Sequence, residues 1–455
     1  MRIVNIMNKI IFMITLLTII GCGDDNPAVV PITVSFSNTS LGGADQVEAK
    51  IIFSRPVSSD GTLNISISTD LSYGEDADYY IDKDVMDNTF SIAFTSGDES
   101  SSFIIYKGSD LNINEDKTIN FNLDTSNDQS IYVVGDNPTT TLTFSENFTA
   151  SGGSAEINAG GNEFPNVAFF DLSKITQTSV DKNAWDLAFY SGDEFRVVLN
   201  PIVGNMAQST GKTIITEVDA DDTLGFGVTM VPTYTAPKEA VESWLDDVTG
   251  DLDDTAFGNI ETANNEVFIV SNKTGGSWQK VLITQAGDNY EVQYGDIGSE
   301  VVNTVNISKS STHNFTYFSF TNDGEVDVSP AKDKWDFYFS EKIYSYFYSY
   351  EGYEVPYGFK NFITINRNNT KVAEVMIADN TYDEFSITDA SSLSYGSNID
   401  AIGSKWRDGY AGTVYDDRFY VINDSEGNYY KLKFLKMENT AGERGYLNIE
   451  YALCE

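Results

Sequence analysis

The chain has 455 residues, enough for several hydrophobic cores, and its 68 acidic and 28 basic residues give a formal net charge of −40. A negative field of this size repels phosphate backbones, so we expect no nucleic acid partner.

The single histidine excludes a two-histidine zinc site, and the sequence has neither a G-x-S-x-G elbow nor a phosphate-binding loop. A glycosidase-type carboxylate pair stays open, because its members can be distant in the chain. Nothing singles out such a pair, and we predict a protein that is not an enzyme.

The N-terminus has the order of features found in an export signal. Arg2 and Lys9 precede an apolar run over residues 10–20, which ends at Gly21 and Cys22. The run is shorter than the roughly 20 apolar residues that a membrane-spanning helix needs. We therefore expect the segment to be cleaved and not to remain as a membrane anchor.

The residues Ile-Ile-Gly-Cys at 19–22 resemble the lipobox of bacterial lipoproteins, and the aspartates that follow resemble the surface-export signals of Bacteroidetes lipoproteins. This resemblance implies a signal peptide over 1–21, a lipid anchor on Cys22, a linker over 22–29, and attachment to the outer membrane at the cell surface. The alternative is an ordinary signal peptide with an incidental cysteine. If Cys22 carries lipid, Cys454 has no partner for an intrachain disulfide.

Short alternating runs bounded by glycine, asparagine or aspartate recur along nearly the whole chain and predict an all-β fold with little helix. The alternation is clearest over residues 30–146, where about seven strands with turn signals between them predict a two-sheet β-sandwich.

The same region resembles a Calx-beta domain in its Asp78-Tyr79 turn, in Phe94 and Gly97, and in the acidic loop that begins at Asp110. The resemblance implies possible calcium binding, since calcium takes six to eight hard oxygen ligands. The candidate ligands are Asp76, Asp78, Asp110 and Asp116. Asn114 and Lys117 depart from the acidic character of the family loop, and a structural spacer is the alternative.

One phrase occurs twice, as VDKNAWDLAFYSG at 180–192 and PAKDKWDFYFSEK at 330–342. An ungapped alignment of the flanking residues pairs Phe170 with Phe320, and later segments also correspond. We therefore predict two repeated antiparallel β-rich domains, at 150–298 and 303–455. Because alternate residues after each tryptophan are apolar, we interpret the tryptophans as core anchors and the aspartates as hydrogen-bonding groups at a strand start. These structural anchors are Trp185, Asp186, Trp335 and Asp336. The pattern at 237–248 predicts one helix.

The Trp-Asp strand, a later strand ending in asparagine and a closing hairpin of the form Gly-x-x-Tyr/Trp-x-Lys together resemble the HmuY family of Bacteroidetes haem-binding surface lipoproteins. The resemblance implies capture of haem or a related tetrapyrrole outside the cell and its transfer to an outer-membrane TonB-dependent transporter. Family members ligate haem iron through two histidines, but this chain has only His313. The candidate haem ligands are His313, Met206 and Met376, and packing is the alternative role of each methionine.

The second copy contains an insertion over 341–360 that the first copy lacks. Tyrosines two apart share one face of a strand, which suits stacking on sugar rings, porphyrins or a protein. The candidate surface residues are Tyr344, Tyr346, Tyr348, Tyr350, Tyr353 and Tyr357. The equal alternative is a hairpin whose aromatic side chains stabilise each other. The sequence thus predicts a non-enzymatic surface lipoprotein that binds haem, or alternatively an adhesin or glycan-binding protein that uses the insertion.

Overall fold

The computed structural model describes residues 31–43, 46–111, 117–124, 132–145, 149–224, 244–271, 278–348, 352–439 and 441–455. The signal peptide, Cys22, the linker, Asp116 and Tyr350 lie outside these residues. Most described elements are β-strands, and the predicted all-β fold class is confirmed. No helix in the described part of the chain is long and apolar enough to cross a membrane.

The N-terminal strands form a sandwich of two five-stranded sheets. They are Ile32–Phe36 (β1), Ser40–Gly43 (β2), Gln46–Phe53 (β3), Gly61–Ser68 (β4), Tyr79–Ile81 (β5), Thr89–Phe94 (β6), Ser100–Lys107 (β7), Lys117–Leu123 (β8), Tyr132–Val134 (β9) and Thr139–Phe144 (β10). One sheet has the order β5-β7-β3-β1-β9, and the other has the order β2-β10-β8-β4-β6. Alternate side chains such as Phe36, Ile51 and Phe121 are buried between the sheets, which confirms the predicted sandwich.

The remaining strands build two five-stranded sheets, two four-stranded sheets and one two-stranded sheet. The first group is Gly152–Asn158 (β11), Asn166–Asp171 (β12), Thr176–Asp181 (β13), Leu187–Tyr190 (β14), Val197–Leu199 (β15), Met206–Ser209 (β16), Phe268–Ser271 (β17), Gln279–Ala286 (β18), Asn289–Asp296 (β19), Asn303–Ile307 (β20), Phe315–Ser319 (β21) and Gly324–Val326 (β22). The second group is Phe337–Tyr348 (β23), Tyr353–Ile365 (β24), Lys371–Met376 (β25), Arg407–Asp408 (β26), Thr413–Val414 (β27), Arg418–Asn423 (β28), Tyr429–Glu438 (β29) and Arg444–Leu453 (β30).

Helical structure is sparse in the described chain. Short 3₁₀ turns span Ile215–Glu217 and Ala220–Thr223, and one α-helix (α1) spans Ile387–Ser392 with Ser386 as its N-cap. Of the helix predicted at 237–248, residues 237–243 lie outside the described chain, and the chain from Leu245 to Val248 is not helical.

Strand pairing crosses the predicted boundary between the two repeats. β11 pairs with the C-terminal strand β30, and β12 pairs with β23, so strands at the start of the first repeat complete sheets of the second. In the same way β14 pairs with β21, and β19 pairs with β20. We call β14–β22 (183–328) the first unit. We call β11–β13 together with β23–β30 (149–182 and 329–455) the second unit.

Each unit is a sandwich of an inner and an outer sheet. We call the sheet that faces the other unit the inner sheet and the other one the outer sheet. In the first unit the inner sheet has the order β15-β14-β21-β22 and the outer sheet the order β16-β17-β18-β19-β20. In the second unit the inner sheet has the order β13-β12-β23-β24 and the outer sheet the order β11-β30-β29-β28-β25. The buried residues divide in the same way, since Phe189 packs with Tyr290 and Phe318 in the first unit while Phe170 packs with Phe337 and Tyr451 in the second. Each unit therefore has its own hydrophobic core.

The inner sheets are apolar on both faces and meet each other. In β12, Ala168 and Phe170 belong to the core of the second unit, whereas Val167 and Phe169 pack on the opposite face against Ile202 of the first unit. The backbone N–H of Ile343 also donates a hydrogen bond of 2.9 Å to the carbonyl of Pro201 across the junction. The contact between the inner sheets is therefore a second layer of burial, separate from the two sandwich cores.

We expect Gly445→Ala to lower the free energy of unfolding by about 3 kcal/mol, because Gly445 has a left-handed φ of +89° and an added Cβ would overlap the carbonyl oxygen of Gly161. Gly427→Ala is the matched control, since φ is +92° there but no heavy atom lies within 4 Å of the added carbon. We expect Gly427→Ala to lower the free energy of unfolding by only about 1 kcal/mol. Urea unfolding measures both, and equal losses would show that the contact between Gly445 and Gly161 is unimportant.

Candidate functional site between the two units

The aspartates of the repeated phrase hold strands that come from the opposite repeat. The Asp186 carboxylate accepts a hydrogen bond of 2.8 Å from the backbone N–H of Phe320, and the Asp336 carboxylate accepts one of 2.7 Å from the backbone N–H of Leu172. Both carboxyl groups are removed from water, and burial raises the pKa of Asp186 and raises that of Asp336 well above its usual range. The duplicated phrase thus builds the same junction once in each unit.

An asparagine after a later strand holds the backbone of each Trp-Asp phrase through hydrogen bonds from its side-chain amide. The side-chain amide of Asn200 donates to the carbonyls of Trp185, at 2.9 Å, and of the lysine three residues before it. Asn366 makes the same two bonds in the second unit, with 2.7 Å to the carbonyl of Trp335. Both asparagines are fully buried. The tryptophans are therefore held at the strand starts by the same hydrogen bonds in both units.

The two tryptophans line a cavity of about 130 Å³ between the inner sheets. Each tryptophan ring meets an aromatic ring from a strand of the opposite repeat edge-on, with centroid distances of 5.0 Å between Trp185 and Tyr317 and 5.1 Å between Trp335 and Phe169. Tyr338 completes the aromatic part of the wall. An apolar cavity of about 150 Å³ can hold a benzene molecule, so this one is of ring size.

Two cationic side chains of the second unit also line this cavity. Lys342 is 3% exposed, and its Nζ donates a hydrogen bond of 2.8 Å to the carbonyl of Val248. Arg367 donates one of 2.7 Å to the carbonyl of Gly250. Burial lowers the pKa of Lys342 to about 8 and lowers that of Arg367 as well. Both contacts are to backbone oxygens, so they satisfy donors without neutralising either charge.

Strand alternation explains why a lysine of the tyrosine-rich insertion points inward. Tyr338, Ser340 and Lys342 share one face of β23, and Tyr338 and Lys342 both line the cavity. The pairing register shifts between Ser340 and Lys342, where β24 advances three residues against two in β23, so the extra residue of this bulge lies in β24. Glu341, between Ser340 and Lys342, forms an ion pair of 2.6 Å with Lys182.

The segment that follows residue 244 closes the cavity from the first unit. Asp246 lines the cavity, and its carboxylate accepts hydrogen bonds from the backbone N–H groups of Leu199, at 2.6 Å, and Ala256, at 2.9 Å. Burial raises the pKa of Asp246 to about 7. This carboxylate therefore holds the loop to the end of β15.

A polar cleft of about 620 Å³ adjoins the cavity, and Gly250, Asp251, Arg367 and Ile399 line both spaces. The acidic side chains of the cleft are Asp193, Glu194, Asp251 and Asp253. Arg196 forms ion pairs with two of them, Glu194 at 3.0 Å and Asp253 at 2.5 Å. The polar cleft is therefore the mouth of the smaller aromatic cavity, and the guanidinium of Arg367 lies where the two spaces meet.

The candidate haem ligands lie elsewhere and apart from each other. Met206 is fully buried in β16, where it packs with Ile215 and Val267, and Met376 ends β25 on an outer sheet. His313 is half-buried before β21, and its Nδ1 lies 3.0 Å from the hydroxyl of Thr312. None of the three lines the cavity or the cleft.

The tyrosine insertion forms a long hairpin of β23 and β24. The backbone register pairs Tyr344 with Tyr357, Tyr346 with Val355 and Tyr348 with Tyr353. The hydroxyl of Tyr344 donates a hydrogen bond of 2.5 Å to the Asp400 carboxylate, and its ring packs on Phe362 at 5.1 Å. Tyr344 is therefore anchored to the body of the second unit at the base of the hairpin.

The candidate calcium ligands do not assemble a cation site among the described residues. The Asp78 carboxylate accepts a hydrogen bond of 2.7 Å from the backbone N–H of Ser72, which fixes the turn before β5. No group of three acidic, histidine or cysteine side chains in the described ranges is placed to hold a metal ion, and Asp116 lies outside those ranges.

Comparisons with known proteins agree with part of the sequence analysis. Residues 311–451 match the family model described as HmuY protein. No curated protein matches the chain. The solved structures similar to it include the apo-form Calx CBD1 domain (12% identity, covering 26% of this chain and 97% of that chain, TM-score 0.20). They also include the calcium binding domain CBD12 of CALX1.1 (10%, 59% and 82%, TM-score 0.19) and a two-domain protein of unknown function from Bacteroides fragilis NCTC 9343 (9%, 40% and 70%, TM-score 0.19). The match confirms the HmuY resemblance over 311–451, and a second HmuY copy at 150–298 stays a prediction.

Proposed function

We propose that this chain is a non-enzymatic lipoprotein of the outer membrane that binds an extracellular ligand at the cell surface. The HmuY match over residues 311–451 carries the proposal. The aromatic cavity and the polar cleft beside it support the proposal, because binding sites are concave and apolar with a few convergent polar groups. The lipid on Cys22 would hold the protein at the membrane, and a TonB-dependent transporter would receive the ligand.

Haem or a related tetrapyrrole is the ligand that the family implies. A four-ring macrocycle is larger than the ring-sized cavity, so a tetrapyrrole would bind at the surface of the protein as it stands. His313 is the one imidazole, and it is half-buried beside the hydroxyls of Ser310 and Thr312. The proposal therefore assigns iron ligation to His313 alone or with a partner outside this set, since Met206 is enclosed in a core.

A haemin titration of the protein that begins at Gly23 tests this function, with the Soret band as readout. We expect a saturable, shifted band that His313→Ala weakens at least about tenfold, since loss of the axial imidazole removes the strongest iron donor. Met206→Leu is the matched control and should bind normally. Absence of any shift in either iron oxidation state would remove haem from the proposal.

Glycan or protein binding by the tyrosine hairpin is the second candidate. The backbone pairing from Lys342 to Tyr348 favours it, because it forms an ordered hairpin over the tyrosine-rich insertion. Lys342 and Ile343 are buried, so a test variant must keep them and replace only 346–355 by Asn-Gly. We expect this variant to lose adhesion to glycan-coated surfaces while its melting temperature and haemin titration stay unchanged. Equal adhesion by both proteins would reject this candidate.

A further inference from the structure

The cavity between the units carries two cationic groups whose charges no ion pair neutralises. Among the described residues, neither Lys342 nor Arg367 forms an ion pair, and the recorded polar contact of each is to a backbone carbonyl. Asp246, Asp247 and Asp400 act on Lys342 only at longer range. Buried charges are normally paired, because removing them from water costs several kcal/mol per ion.

Two buried polar atoms on residues that line the same cavity also have no hydrogen-bond partner in the described chain. They are the indole Nε1–H of Trp335 and the amide oxygen of Asn205. These residues are 7% and 1% exposed. Buried polar groups in native proteins are almost always satisfied, so unpartnered ones in a cavity point to something that occupies it. The indole N–H can donate a hydrogen bond to an anion.

The shape and chemistry of the walls define that occupant. A chamber of about 130 Å³ between Trp185 and Trp335 takes one ring or a short branched chain. Lys342 lines the cavity alone, and Arg367 lies toward the cleft, because it lines both spaces. We propose that the cavity binds a small molecule in which a carboxylate is attached to an apolar, ring-sized group. The apolar group lies between the tryptophans, and the carboxylate lies at Lys342 and Arg367.

The acidic mouth limits the charge of this ligand. Asp193, Asp251 and their neighbours repel a polyanion, whereas they tolerate a single carboxylate and favour an ammonium group on the same molecule. Two sources share this chemistry, a simple apolar monocarboxylate and an apolar α-amino acid. The inference rests on the proposed ligand-binding function but not on haem, whose larger macrocycle needs a different surface.

Three probes of matched size separate the possibilities by isothermal titration calorimetry and tryptophan fluorescence. They are 3-phenylpropionate, L-phenylalanine and 2-phenylethylamine, which carry the carboxylate, both charged groups and the amine alone. We expect saturable binding of one or both carboxylates and none of the amine. Tighter binding of phenylpropionate identifies the monocarboxylate, and tighter binding of phenylalanine identifies the amino acid.

Variants of the two cations locate the binding. Lys342→Met and Arg367→Met keep the side-chain stems and should each weaken carboxylate binding at least about tenfold, as loss of a charge-assisted hydrogen bond does. Lys371→Met, on an exposed lysine at the start of β25, should bind as the parent does. Melting curves check that all three variants are folded.

Three results would overturn the inference. The first is no saturation by either carboxylate up to about 10 mM, roughly ten times the dissociation constant of a weak millimolar complex. The second is binding of the amine as tight as that of the carboxylates. The third is folded cation variants with unchanged affinity. A protein that takes up haemin but fails these tests loses only this inference. One that binds phenylpropionate but not haemin loses only the haem assignment.

Discussion

A fragment spanning residues 183–328 is expected to fold by itself, although it matches neither predicted repeat. It contains β14–β22, and thus both sheets and the whole core of the first unit, including Phe189, Tyr290 and Phe318. Its strands make every ladder contact of that unit without help from the rest of the chain. Circular dichroism and the dispersion of amide NMR signals should show a native β-protein with a cooperative thermal transition.

The matched fragment is 150–298, which has nearly the same length and follows the boundaries predicted from the repeat. It retains β11 and β12 without their partners β30 and β23, and it retains β14 and β19 without β21 and β20. Unpaired strands of this kind expose apolar faces and aggregate, so we expect no cooperative transition. The opposite outcome, a folded 150–298 and an unfolded 183–328, would show that strand exchange between the repeats is not needed for folding.

Alternation predicts which residues of a strand share a face, but it does not predict which strand lies beside it. Strands β12 and β21 carry a similar apolar pattern, so by pattern alone either could pair with β14 or with β23. The sequence therefore predicted the strands and the sandwich but not the exchange of strands between the repeats. The apolar character of both faces of β12, with Val167 and Phe169 as well as Ala168 and Phe170 buried, was the available signal that two layers cover it.

The ungapped alignment of the two copies is wrong by two residues before the Trp-Asp phrase. It paired Phe170 with Phe320, whereas Phe318 takes the place of Phe170, since Phe318 pairs with Leu187 as Phe170 pairs with Phe337. A shift of two residues leaves every side chain on the same face of a strand, so the apolar pattern cannot detect it.

Most residues of the candidate site could not be predicted from the sequence. Trp185 and Trp335 were identified, but as anchors and not as cavity walls. Lys342 stands among tyrosines, and alternation places it on the same face of β23 as Tyr338 but does not show that another sheet covers that face. Asp246 lies in a segment that was predicted as a helix, and Arg367 follows the strand-ending Asn366 like an ordinary surface residue. These side chains meet because the two inner sheets face each other, which is a tertiary arrangement without a local pattern.

Asp336→Ala is expected to lower the free energy of unfolding by about 2 kcal/mol at neutral pH, because it leaves the buried N–H of Leu172 without an acceptor. Asp336→Asn is expected to cost less, since the amide oxygen can still accept that bond. Asp186→Ala, the same change in the other unit, should behave like Asp336→Ala because its carboxylate holds Phe320 in the same way. Urea unfolding of the four proteins measures these differences.

The pH dependence of the Asp336 variants provides the sharper test. Burial raises the pKa of Asp336 in the folded chain above the value of about 3.9 expected when unfolded, so the folded state holds the proton more tightly. The contribution of this group is therefore fully present below about pH 4 and is lost as the pH rises toward the folded pKa. Asp336→Asn cannot ionise, and its stability relative to the parent should increase between pH 5 and pH 8, a range that brackets physiological pH. A stability difference that stays constant over that range would mean that Asp336 ionises as easily in the folded chain as in water, and that its carboxylate is not enclosed at the junction of the two repeats.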